Sequence, residues 1–192
     1  YPVFHLKKQQ LVLVGLCLLF ITGGIVSAFR ANRSVSSEDT AQKIEENLVK
    51  VLTDMDRQAN DQLKRILQAK PLAVSAVQFL LIDESKILEW SGNHFVPSFY
   101  ILTGAYNLKY IRLTSGDFII KKVAVDSVRS LVTVIPLHIQ YRISNDYLKP
   151  YWHPEVFDNS NVLILLPELT QGYPITVDGQ VVFKVLANQE SS

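Results

Sequence analysis

The chain changes its pattern of apolar and polar positions twice. Leu11 to Phe29 (LVLVGLCLLFITGGIVSAF) contains no charged residue. A helix of that length spans roughly 28 Å, close to the hydrocarbon thickness of a bilayer. Lys7 and Lys8 precede it, and Arg30 and Arg33 follow it. The segment predicts a retained membrane-spanning signal anchor. The alternative is a cleaved secretory signal with VSA as its cleavage site. A short basic flank before a long domain favours residues 1–10 inside, as a cytoplasmic flank, and the rest outside.

From Ser36 the period becomes helical. No Gly or Pro occurs between Ser36 and Pro71. Ser36 or Ser37 is the expected N-cap, with Glu38 and Asp39 in the first turn opposing the dipole. Ala41, Ile44, Leu48, Val51 and Met55 follow one another at 3-4 spacing, a heptad seam. The seam meets Gln58 and Gln62, then resumes at Ala59, Leu63 and Ile66, a change of step like a stutter. Two readings fit this linker and helix over residues 30–70: a helix packed on its own domain, or a parallel homodimer seam continuing from the membrane.

Beyond Pro71 the runs shorten to strand length. VQFLLI and KILEW flank Asp83-Glu84-Ser85 as a hairpin, closed by Ser91-Gly92-Asn93. HFVPSFYILTGAYN predicts a loop with a helical turn. LKYIRL and DFIIKKVAV flank Thr114-Ser115-Gly116 as a second hairpin. SLVTVIPLHIQYRI is the longest strand-like run, and Pro136 inside it demands an edge or a bulge. SNDYLKPYWHPEVFDNSN predicts a loop. VLILLPEL and YPITVDGQVVFKVL supply the last strands, the latter folded at Asp178-Gly179. The expected fold is therefore α+β: an N-terminal transmembrane helix over 11–29, a long amphipathic helix, an antiparallel sheet domain over 71–150, and a membrane-proximal or C-terminal β extension over 151–192.

Charge and chemistry narrow the function mostly by exclusion. Of 19 Lys and Arg, all but Lys7 and Lys8 lie beyond Phe29, against 18 Asp and Glu. So balanced a domain does not point to nucleic acid. Cys17 is the one cysteine, so no intrachain disulfide forms. His5, His94, His138 and His153 lack metal-binding spacing, and no P-loop, Gly-x-Gly-x-x-Gly or Gly-x-Ser-x-Gly occurs. No metal, cofactor or catalytic residue is expected. Lys109, Arg112, Lys121 and Lys122 cluster around one turn, joined by Tyr141 and Arg142 at the end of the longest strand. They form either a solvated face or a site for an anionic ligand or lipid headgroup, where Arg would fork onto carboxylate or phosphate. Trp90, alternating with Leu88, is either a core anchor between sheet and helix or the wall of a ligand pocket.

FLLIDESKILEWSGN, LKYIRLTSGDFIIKKV and VTVIPLHIQYRISNDYL, in this order after a long helix, resemble the extracytoplasmic sensor region of Bacteroidetes-type two-component sensor histidine kinases. The resemblance covers roughly residues 8–150, and the order of helix and hairpins is also similar to Cache or PAS-like sensors. It implies a ligand pocket on one sheet face, a homodimer, a place in the bacterial inner membrane with the main domain periplasmic, and a kinase output carried by other domains. The rival expectation is a single-pass accessory or structural subunit of a cell-envelope complex, docking on an envelope protein.

Overall fold

The computed structural model describes residues 8–75, 77–92, 98–141, 149–158 and 160–187, with side chains described from Ser37 onward. The chain divides into two units, Tyr1–Thr40 and Ala41–Ser192. The first holds the opening part of helix α1 (Lys8–Leu67). Leu11–Phe29 is helical in its backbone, but its side chains lie outside the described residues. Among the described residues no helix is long and apolar enough to cross a membrane. Ser36 and Ser37 do not cap a helix. They sit within α1, because no Gly or Pro interrupts the chain there.

The second unit is α+β with two antiparallel sheets. The larger contains β1 (Gln78–Ile82), β2 (Ile87–Trp90), β3 (Leu108–Leu113), β4 (Gly116–Ala124), β5 (Ser130–Ile139) and β6 (Tyr151–Trp152). Its order is β2-β1-β5-β4-β3, with β6 paired to β5. The smaller contains β7 (Val162–Leu165), β8 (Tyr173–Val177) and β9 (Gln180–Ala187) in the order β7-β9-β8. Two single-turn helices, α2 (Phe99–Leu102) and α3 (Pro154–Phe157), complete it. The residues expected to form one C-terminal extension are thus shared: β6 joins the larger sheet, and only β7–β9 form a sheet of their own.

The five seam residues are the centre of this unit. Ala41, Ile44, Leu48, Val51 and Met55 are at most 6% exposed in a single chain. They share one core with Ile119 and Ile135 of the larger sheet and Ile164, Phe183 and Val185 of the smaller. The reading of these residues as a homodimer seam is corrected accordingly: both sheets turn apolar faces to the helix, and a partner helix could reach the seam only by dismantling the core. The change of step also has a cause. The buried Gln62 amide accepts from Ala73 N at 2.9 Å and donates to Ala73 O at 3.1 Å, while Gln58 Oε1 accepts from Ser75 Oγ at 2.7 Å. Gln62 is polar because it satisfies both backbone groups of Ala73 in the segment returning past the helix end, and Gln58 because it holds the Ser75 hydroxyl, which in turn accepts from Val77 N. A second cluster joins Ala59 and Ile66 of α1 to Phe79, Leu81 and Leu131. The opposite face of the larger sheet carries a third, in which Leu80, Val132, Phe118 and Ile120 lie against Leu102 of α2.

Pro136 occupies a gap. On that side of β5, β1 pairs only with Ser130–Val134 and β6 only with His138 and Ile139. On the other side the register with β4 slips between Asp117 and Phe118, which pair with His138 and Pro136, so β5 carries a bulge at Leu137, next to the proline.

Candidate functional site

Strand alternation separates the basic residues that the sequence brings together. Leu108, Tyr110 and Arg112 of β3, with Asp117, Ile119 and Lys121 of β4, face α1 and the smaller sheet, whereas Lys109 and Lys122 face the α2 side. Lys121 is committed to the fold: its Nζ lies 2.6 Å from Asp56 Oδ1 on α1. Lys122 Nζ donates to the carbonyls of Gly104 (2.7 Å) and Leu102 (3.4 Å), closing the end of α2. Lys109 and Lys122 both lie over the Tyr106 ring, at 5.8 and 4.9 Å. Tyr141 is exposed beyond β5, and Arg142 lies outside the described residues.

Trp90 is neither a core anchor nor enclosed. It stands at the end of the edge strand β2, opposite Leu80, and is 55% exposed. The helix-facing side of β2 is taken by Glu89, whose carboxylate accepts from Leu72 N at 2.6 Å. The place between sheet and helix expected for Trp90 belongs to Phe79, which is fully buried.

A polar network occupies the junction of the two sheets. Asp117 is 7% exposed. Its Oδ1 accepts from the Tyr110 hydroxyl and from Arg112 Nε at 2.7 Å, and its Oδ2 lies 3.4 Å from His138 Nδ1. Arg112 Nη2 donates onward to Ile164 O on β7 at 2.8 Å. Burial, and then the adjacent carboxylate, push the Tyr110 phenol well above its ordinary value, so it remains a donor. Gly116 makes the approach of β4 to His138 feasible. Its φ is +141°, and a Cβ there would lie 2.0 Å from the His138 carbonyl oxygen.

An aromatic ladder leads from this network to the surface. The His138 and Trp152 rings lie 4.3 Å apart, tilted by 31°, and Trp152 meets Phe157 edge-on at 5.0 Å. Trp152, His153, Pro154, Phe157 and the start of β7 line a groove of about 420 Å³, within the size range of small-molecule sites. His153 is fixed by its main chain, which donates to Leu137 O at 2.9 Å and accepts from Phe157 N at 3.0 Å. Its Nδ1 is buried with no hydrogen-bond partner among the described residues. Burial lowers its pKa, and Glu155 opposes that effect.

This groove is coupled to α1 through α3. Val156 and Phe157 are buried in the seam's own core. Asn47 Nδ2 donates to Val156 O at 3.4 Å, and Lys43 Nζ pairs with Asp158 at 2.6 Å. The polar, proline-broken sequence here predicts a loop, and the structure places β6 and α3 in it. Its available signal was local: Pro154 in the first turn of a helix and the apolar pair Val156-Phe157 immediately after. Among the described residues no group of three or more His, Cys, Asp and Glu gathers as a metal site.

Compared with protein-family models, with curated proteins and with solved structures, the chain matches none.

Proposed function

We propose that this chain is a membrane-anchored extracytoplasmic sensor domain, of the kind that feeds a two-component histidine kinase in the bacterial inner membrane, with Leu11–Phe29 as its anchor. The observation that carries the reading is the core shared by α1, α3 and both sheets. The helix that begins in the apolar segment is the same helix whose seam underlies the α3 groove. A ligand that prefers one seating of α3 on α1 would shift the helix between states by its differential affinity, which is the requirement for relaying occupancy.

The test is a chimera in which residues 1–192 precede the membrane helix and output domains of a histidine kinase. Autophosphorylation should change between growth conditions. Asn47→Ala combined with Lys43→Ala should flatten that change while leaving expression intact. Constant output under all conditions counts against sensing.

The accessory-subunit reading draws on a different observation. Leu163 and Leu186, cross-strand neighbours on β7 and β9, are 48% and 40% exposed on the outer face of the smaller sheet. Co-purification of a stoichiometric envelope protein, lost on Leu186→Glu, which leaves the lining of the α3 groove untouched, would favour it.

A further inference from the structure

The α2 side of the larger sheet carries a second groove, of about 430 Å³, lined in part by Tyr106, Asn107, Lys122 and Ser130. It lies on the sheet face opposite α1, apart from the α3 groove. None of its lining residues is acidic. We propose that it binds a small oxyanion, a carboxylate or phosphate group, with Lys122 as the charged contact and Ser130 and Asn107 as hydrogen-bond donors.

The Lys122 ammonium is pre-positioned. Two of its three donors are engaged by the Gly104 and Leu102 carbonyls, and its charge rests over Tyr106. One donor is left over at the groove. No carboxylate pairs with Lys122 or Lys109 among the described residues, so two ammonium groups on one ring make this a locally positive spot. Ser130, half-buried, and Asn107, exposed, bring a hydroxyl and an amide to the lining of the same groove. Tyr106 stays a neutral phenol, its pKa pushed up to about 12 by burial, and its hydroxyl donates to Leu102 O at 3.0 Å. Asp83 and Glu84 line an adjoining groove of about 230 Å³ that shares Lys122 and Ser130. Asp83 Oδ1 is already satisfied by Ser85 N, Ser85 Oγ and Lys86 N, at 2.7, 2.9 and 2.8 Å. The oxyanion therefore belongs in the larger groove, away from the acids.

This site stands whether or not the chain relays a signal. The full chain, reconstituted in phosphatidylcholine vesicles, is titrated with inorganic phosphate and with succinate, and binding is read by calorimetry. Saturable binding is expected, with chloride inactive. Lys122→Met should weaken it about tenfold or more, as loss of a charged hydrogen bond does. Ser130→Ala should weaken it by a smaller factor with an unchanged unfolding midpoint, which keeps the test valid if loss of Lys122 loosens α2. Lys64→Met, on α1, should bind as the parent does. In vesicles that contain phosphatidylglycerol, competition with phosphate identifies a lipid headgroup as occupant, and unchanged phosphate binding identifies a soluble anion. Absence of saturable binding to either probe, or equal affinity in the parent, Lys122→Met and Ser130→Ala chains, overturns the proposal.

Discussion

Arg112 donates from Nε to Asp117 at 2.7 Å across the β3–β4 pair, and the same guanidinium reaches Ile164 O on the other sheet at 2.8 Å. One side chain thus neutralises a buried carboxylate and ties the two sheets. Arg112 makes the two bonds from two different nitrogens of one planar guanidinium, a spacing that the single nitrogen of Lys does not offer. Arg112→Met should destabilise the domain by about 2–3 kcal/mol, since it removes the guanidinium from a buried carboxylate that keeps only Tyr110 and His138 beside it. Arg112→Met combined with Asp117→Asn should recover part of that loss. Urea unfolding of both variants measures the difference, and equal stability of the two would show that the carboxylate is not the source of the cost.

His153 predicts a pH dependence with a definite sign. Its folded pKa lies below the ordinary 6.5 because burial disfavours the charged ring. Between the folded and unfolded values the unfolded chain holds more protons, so stability rises with pH there and falls on acidification below about 6.5. Asp83, Asp126 and Asp158 behave oppositely in origin and at lower pH. Hydrogen bonds from Ser85, from Val128 and from Lys43 respectively hold them below 3.8, Asp126 at about 2. Their contributions are intact above the unfolded value and are lost only as pH falls through the folded ones. Thermal unfolding between about pH 7.5 and about pH 5.5 should therefore isolate His153 among these groups, and His153→Phe should flatten the slope in that interval.

The end of α1 offers a stabilising substitution. Ala69 has φ +53°, and Lys70 N donates to Arg65 O at 3.0 Å, a Schellman-type closure ahead of Pro71. That left-handed position ordinarily holds Gly, which avoids the Cβ penalty. Ala69 is exposed, so nothing packs on its methyl group. Ala69→Gly should raise stability by about 0.5–1 kcal/mol after the added entropy of the unfolded chain is subtracted. A lower midpoint in chemical denaturation would mean that the turn relaxes in solution.

Local signals made much of the fold legible. Asp178 and Gly179, with φ of +50° and +77°, form the turn that an Asp-Gly pair announces, and Pro136 sits beside a bulge, as a proline inside a strand requires. The apolar face of α1 was equally plain, but not what covers it. A heptad seam and a face buried under two sheets carry the same spacing, and only the tertiary arrangement tells them apart. The basic cluster misled for a related reason. Lys121 and Lys122 are neighbours in sequence, yet successive residues of a strand point to opposite faces, so one meets Asp56 and the other the end of α2. The junction of Asp117, His138 and Trp152 was hidden because its members lie far apart along the chain.

The exchange of roles between Trp90 and Phe79 gives the last prediction. Size and alternation favour Trp90 as the aromatic that fills the space under α1, but β2 is an edge strand and its helix-facing position is spent on Glu89. Phe79 sits on β1, the next strand inward, in register with Thr133 of β5, and packs with Ala59 and Ile66 of α1. Its side chain is fully buried, whereas Trp90 is more than half exposed. Phe79→Ala should then cost about 3–5 kcal/mol, the range for deleting a large aromatic from a packed core. Trp90→Ala should cost less than about 1 kcal/mol, as surface substitutions do. Paired guanidinium unfolding curves decide the matter: the ranking stands if the Phe79 variant shifts far and the Trp90 variant barely moves. A large loss from Trp90→Ala would mean that its ring is covered in solution, and Trp90 fluorescence, measured across a dilution series in a Trp152→Phe background, would show whether a second chain provides the cover.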